Sequence, residues 1–270
     1  MQPHASVPAR NGLAAAVSHC LSVGRAGALG ALLLSAAAPA WAACDNIAPT
    51  DGQTVTCSPT APNPQTTPVA SVSGSAGITI NVQANAELVV PTGGAIVLDG
   101  GGGHRIDNRG TLTGTAGFAI VSNSATTVIN RGVISGGTSG IVFGPGADRL
   151  EMLGGSITGA VLQGAGTDTV VISDGVTERI DQGEGEDSFE ISAGTVTGTV
   201  DQSRDPDRFL MTGGSIGSLV QGDGFDAFRM TAGHIVGGFD VGGSAEMTGG
   251  RNGRGNMKVG DNNFPMSGGG

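Results

Sequence analysis

DRLEMLGGSITGAVLQGAGT at 148–167, DTVVISDGVTERIDQGEGE at 168–186, DSFEISAGTVTGTVDQSRDP at 187–206, DRFLMTGGSIGSLVQGDGF at 207–225 and DAFRMTAGHIVGGFDV at 226–241 are one pattern written five times. Each unit opens on an aspartate, Asp148, Asp168, Asp187, Asp207 or Asp226, at intervals of 20, 19, 20 and 19 residues. Two positions on stand Leu150, Val170, Phe189, Phe209 and Phe228; four positions on stand Met152, Ile172, Ile191, Met211 and Met230. Apolar residues two apart mark a strand with one buried face. Seven after each aspartate comes a glycine: Gly155, Gly175, Gly194, Gly214 and Gly233. A second apolar pair follows in each unit: Ile157 with Val161, Val176 with Ile180, Val196 with Val200, Ile216 with Val220, and Ile235 with Phe239. Each unit therefore reads as two or three short strands separated by glycine corners.

A unit of this length cannot bury its apolar face alone, so repetition implies that neighbours stack into a solenoid. A parallel β-helix meets the need: successive coils pair about 4.8 Å apart, and each column of like residues becomes a ladder. The Leu-x-x-Leu-x-Leu signature of leucine-rich repeats, which share the period, is missing. The pattern runs on through GSAEMTGG at 243–250, with Met247 and Gly250 in column, and NNFPMSGG at 262–269, with Phe264, Met266 and Gly269. The reading expects the last coil to stop unfinished, as in a truncated chain.

Fifty glycines and 3% aromatic residues in a chain of 270 suit tight corners, and no three-residue glycine period points to collagen. With 23 acidic against 13 basic residues and Lys258 as the sole lysine, the chain lacks the clustered cations of a nucleic-acid surface. Residues 1–42 read as a secretory signal: Arg10 and Arg25 precede the apolar run AGALGALLLSAAAPA, which ends in the small-x-small site Ala40-Trp41-Ala42. Its loss removes two arginines and takes the mature charge to 11 − 23 = −12.

Export makes a disulfide the default for the two remaining cysteines, Cys44 and Cys57. It reads as a clip at the open N-terminal end of the solenoid, whose bare edge invites unwanted pairing. Residues 58–70, SPTAPNPQTTPVA, read as proline-punctuated extended chain. Strand alternation begins at Ile78, with Ile80, Val82, Leu88, Val90, Ile96 and Leu98. DNRGTLTG at 107–114 recurs as INRGVISG at 129–136, placing Asn108 under Asn130 as a candidate amide ladder and Leu112 under Ile134. GFAI at 117–120 matches GIVF at 140–143, and the Ile134 column passes to Ile157. The expected organisation is a signal at 1–42, an N-terminal cap with the cysteine pair at 43–75, longer irregular coils at 76–147, and regular coils at 148–270; coil length runs from about 19 to 23 residues.

Together the long signal, the cysteine pair just after it, the NRGTLTG-type coils and the MTGGSIGSLVQGDGFDAF-type coils resemble the passenger domains of bacterial autotransporters of the pertactin-like class. The resemblance covers the chain from Ala43. It implies a right-handed parallel β-helix, carried to the surface of a Gram-negative cell by a C-terminal outer-membrane β-barrel, with an adhesin-like role toward a host or cell-surface ligand. The alternating ten-residue segments of such a barrel are absent from this sequence, so the translocator partner is expected on a missing or separate segment.

The corners QGAGTD (163–168), QGEGED (182–187) and QGDGFD (221–226) resemble half of a calcium-binding nonapeptide, which makes Asp168, Asp187 and Asp226 candidate ligands; QSRDPD (202–207) breaks the motif. The alternative is structural: each aspartate caps backbone N–H groups at its own turn, with Arg149 and Arg208 screening the charge, and the acidic corners are solvated. Polysaccharide-degrading β-helices are the rival class. Arg105-Ile106-Asp107 and Arg179-Ile180-Asp181 approach their Arg-Ile-Lys motif but lack the lysine, and His104 and His234 lie far apart. No catalytic residue is expected, and no cofactor beyond the calcium candidates. Phe225, beside Asp226 at a corner, is the one phenylalanine expected outside.

Overall fold

A strand that alternates apolar and polar residues buries one face only if another sheet, or the same sheet coiled upon itself, covers it. A computed structural model describes residues 43–252 and the backbone of Met257–Val259. The signal segment 1–42 and the partial unit 262–269 lie outside the described residues. The described chain is all-β, and its strands pair in parallel with the next coil to form a β-solenoid. Each coil has three faces. The first carries Thr54–Cys57, Thr79–Val82, His104–Asn108, Thr126–Asn130 and then the strand after each aspartate, up to Ser244–Met247.

On this face the ladder from Leu150 through Val170, Phe189, Phe209 and Phe228 is buried, as is that from Met152 through Ile172, Ile191 and Met211 to Met230. The phenylalanine rings stack, with centroids 5.2 Å apart for Phe189–Phe209 and 5.4 Å for Phe209–Phe228. Above Phe228 the column passes to Ala245, and Phe239 reaches in from the third face to stack on Phe228 at 5.2 Å. The glycine column turns the chain from the first face to the second. Gly155, Gly175, Gly194, Gly214 and Gly233 all have positive φ, between 68° and 101°. At Gly194 a Cβ would also stand 2.7 Å from the Gly175 carbonyl oxygen, so only glycine fits.

The older coils continue the same columns. Asn108 Nδ2 donates to Asn130 Oδ1 at 2.8 Å, forming the expected amide ladder, and Asn130 lies under Met152. Leu112, Ile134 and Ile157 stack on the second face as one continuous column. Coiling begins earlier than Ile78, however: Thr54 pairs with Thr79, and Val69 with Ile96. The expected cap at 43–75 therefore contains the first coil. Cys57 occupies the inward column beneath Val82, and the disulfide to Cys44, with Cα atoms 3.8 Å apart, lays residues 43–45 across the bottom of it. Register also widens the range of coil lengths: 25 residues from Thr54 to Thr79, 26 from Thr79 to Arg105, and 17 from Ala227 to Ser244.

Three expected placements are corrected. The inward residue of the second coil's second face is Thr177, not Val176: Thr177 pairs with Ile157 and Val196, while Val176 is 46% exposed. In the fourth coil Leu219, not Val220, lies over Val200. Both corrections follow from one cause. Between the second and third faces the corner holds three residues in the 20-residue coils but two in the 19-residue coils, so the 20/19 alternation is a deletion at that corner. Finally, GFAI and GIVF do not stack at spacing 23: Ile120 lies under Ile141 and Ser122 under Phe143, a spacing of 21. The corner from Gly136 to Ser139 is one residue shorter than its partner from Gly114 to Phe118, and a shift of two residues preserves which side chains face inward.

Candidate functional site: a buried aspartate column

Between the third face and the first, four successive coils turn through a glutamine-led corner that ends in aspartate, QGxGxD in three of them and QSRDPD in the other. Only a single bridge links neighbouring corners, running Pro145, Ala165, Glu184, Arg204 and Asp223. The aspartate ends the corner and opens the first-face strand, so its carbonyl belongs to the sheet while its N–H does not. The carbonyls accept from Thr169, Ser188, Arg208, Ala227 and Ser244 at 2.7–2.9 Å. The N–H groups are satisfied by carboxylates of the coil above: Asp148 N–H donates to Asp168 Oδ1, Asp168 to Asp187, Asp187 to Asp207, and Asp207 to Asp226, at 2.8, 2.8, 2.8 and 2.9 Å. Asp148 caps the N–H of Thr126 likewise at 2.7 Å. One column of side chains thus stitches successive coils where the sheet is interrupted.

Backbone capping is the structural role expected of these residues, but it is made to the coil below and not at each residue's own turn. All five are at most 3% exposed, so the acidic corners are not uniformly solvated: Glu184, Glu186 and Asp205 face outward while Asp187 and Asp207 face in. Nor does Arg149 screen them. It pairs with Glu151 at 2.7 Å on the outer surface, because the residue next to an inward position points out, and Arg208 is exposed for the same reason.

Burial pushes these carboxyls up, and the backbone N–H groups they accept only partly offset it: Asp148 to about 7, Asp168 to about 6, Asp187 to about 7 and Asp207 to about 8, with Asp226 raised as well. Asp205 and the neighbouring column members add to the rise at Asp187 and Asp207. In each of the five, Oδ2 is buried and makes no hydrogen bond.

Beside this column runs a second one that sequence reasoning passed over. Gln163, Gln182, Gln202 and Gln221 are 0% exposed, and each amide donates to the one below: Gln182 Nε2 to Gln163 Oε1 at 3.2 Å, Gln202 to Gln182 at 3.0 Å, Gln221 to Gln202 at 3.1 Å. The ladder ends where its neighbours become apolar, at Phe143 and Val241, and there Gln163 Nε2 and Gln221 Oε1 stay unpaired. The signal was present: a glutamine stands five before the aspartate in four successive coils. The aspartate column also extends downward through Thr126 to His104, whose Nδ1 accepts from Ile78 N–H at 3.3 Å, the same side-chain-to-lower-coil bond.

The calcium candidates Asp168, Asp187 and Asp226 lie in one file, with one carboxyl per coil and Oδ1 spent on backbone. Among the described residues no group of three or more His, Cys, Asp or Glu side chains is arranged to hold a metal ion. Asp107 pairs with Arg109 and Arg131, and Asp181 with Arg179, so the two Arg-Ile-Asp stretches end in surface ion pairs. His104 is buried, His234 is exposed, and Phe225 is 87% exposed as expected. Fold and columns together define a parallel β-solenoid with polar interior ladders. No family model, curated protein or solved structure matches this chain.

Proposed function

We propose that the chain is an exported, surface-displayed passenger of the autotransporter type, acting as a structural or adhesin-like β-solenoid and not as an enzyme. The observation that carries this reading is the Cys44–Cys57 disulfide closing the first coil of a parallel solenoid. Disulfides persist in oxidising compartments, and a solenoid whose lowest coil is clipped by one is suited to life outside the cytoplasm. The signal-like segment at 1–42 and the NRGTLTG-type coils agree with it. The partner is an outer-membrane β-barrel, and the ligand is a host or cell-surface component met by the outward polar rows.

The test is to join the full chain to an outer-membrane β-barrel translocator in a Gram-negative host. The reading predicts cleavage after Ala42, no free thiol at Cys44 or Cys57, and loss of the protein when protease is added to intact cells. An uncleaved, reduced product that protease cannot reach would overturn it.

A further inference from the structure

Five carboxyl groups follow one another up a single interior file, and one oxygen of each has nothing to bond. Oδ1 of Asp148, Asp168, Asp187, Asp207 and Asp226 accepts a backbone N–H from the coil below, while every Oδ2 is buried and unpartnered. Buried polar atoms without partners are rare in folded proteins and each requires a reason. Among the described residues no cation supplies it. Arg149, Arg179 and Arg229 are engaged outside with Glu151, with Asp181 and Asp201, and with Glu246. The outside charges that act on the file are further carboxylates, Asp205 on Asp187 and Asp207, and Asp223 on Asp226. Ionised groups one coil apart, about 4.8 Å, would repel one another in a medium of low polarity. A neutral carboxylic acid at each position removes the repulsion and is far cheaper to bury, while its carbonyl oxygen still caps the N–H.

We propose that this file is a proton-loaded spine: the coils from Asp148 to Ser244 fold with uptake of protons at Oδ2, so that they hold together in mildly acidic surroundings and loosen in alkaline ones. The sign follows from linkage. An acid that binds its proton more tightly when folded gives stability that is complete below the unfolded value, 3.8, and is lost as pH rises through the folded one. His104, lower in the same column, acts in the opposite sense: burial lowers it from 6.5, so its effect falls below that pH and leaves the range above to the aspartates.

Carboxyl carbon-13 resonances of the full chain, labelled at aspartate, read the proposal directly. Four folded-state signals titrating between about pH 6 and 8, those of Asp148, Asp168, Asp187 and Asp207, and a fifth, from Asp226, raised above its ordinary value are expected; all aspartate signals titrating near 4, as exposed groups do, would overturn it. Urea unfolding gives the second arm. The unfolding constant should rise with pH by about tenfold per pH unit for every proton released. In the variant combining Asp187→Asn and Asp207→Asn, which keeps both N–H acceptors without the titrating oxygens, that slope should shrink by two protons; an unchanged slope would overturn the proposal. Calcium chloride at pH 8.5 should leave the urea midpoint unmoved. Recovery of the acid-pH midpoint by calcium would assign the file to a cation instead.

Discussion

Val196 and Val176 sit in successive coils of the same face, yet an aspartate at each has different consequences. Val196 is fully buried between Thr177 and Ile216, so Val196→Asp places a charge in a dry column and should abolish cooperative melting of the neighbouring coils. Val176 points outward, and Val176→Asp should shift stability by no more than about 0.5 kcal/mol; urea midpoints of the two variants decide it. Sequence alone misassigned this position because Thr177 breaks the apolar rule inside the column while Val176 satisfies it outside, and hydrophobicity was the only guide to direction. The aspartates were legible as a column but not as an interior one, since charged residues are rarely fully buried. Their environments also rank them. Asp207 is raised to about 8 and Asp168 to about 6, so at pH 8.5 Asp207→Asn should raise the melting midpoint more than Asp168→Asn does. At pH 5, where both wild-type groups are protonated in the fold, the two variants should differ little in midpoint.

Ladders are the elements of this fold, and they succeed or fail as units. Gln202→Ala leaves Gln182 Oε1 without its donor and Gln221 Nε2 without its acceptor, so a loss of about 2 kcal/mol or more is expected. Replacing Gln163, Gln182, Gln202 and Gln221 together by leucine should cost less than that single change, because no buried polar group is left alone. Chemical denaturation of both variants measures the difference; a larger loss in the fourfold variant would mean that the glutamines do more than pair. This ladder escaped notice in the sequence because glutamine beside glycine reads as a solvated corner, and only register shows that it lies between Phe143 and Val241 in an inward column. The asparagine pair, flanked by identical NRG triplets, was readable for the opposite reason: its neighbours aligned it.

For the molecule as a whole, the strongest regularity is that coils are interchangeable where their columns agree. Deleting residues 168–206 removes 39 residues, one 19-residue and one 20-residue coil, and brings Asp207 directly over Asp148 with every column intact. That chain should fold and melt cooperatively, whereas deletion of ten residues from the same region should not, since nearest-neighbour stacking is what stabilises a solenoid. The parallel solenoid, its glycine corners and its phenylalanine column were all legible because the four coils from Asp148 to Phe225 differ by at most one residue in length. The coil from Thr54 was hidden because its 25-residue spacing and its prolines match nothing downstream. Vertical stacking of residues about 20 apart is the claim beneath every other, and the phenylalanine rings report it most directly. In the protein labelled only at phenylalanine, nuclear Overhauser contacts should link Phe189 to Phe209, Phe209 to Phe228 and Phe228 to Phe239, and should be absent between Phe189 and Phe228. A folded protein in which these rings show no mutual contacts would contradict the stacked coil.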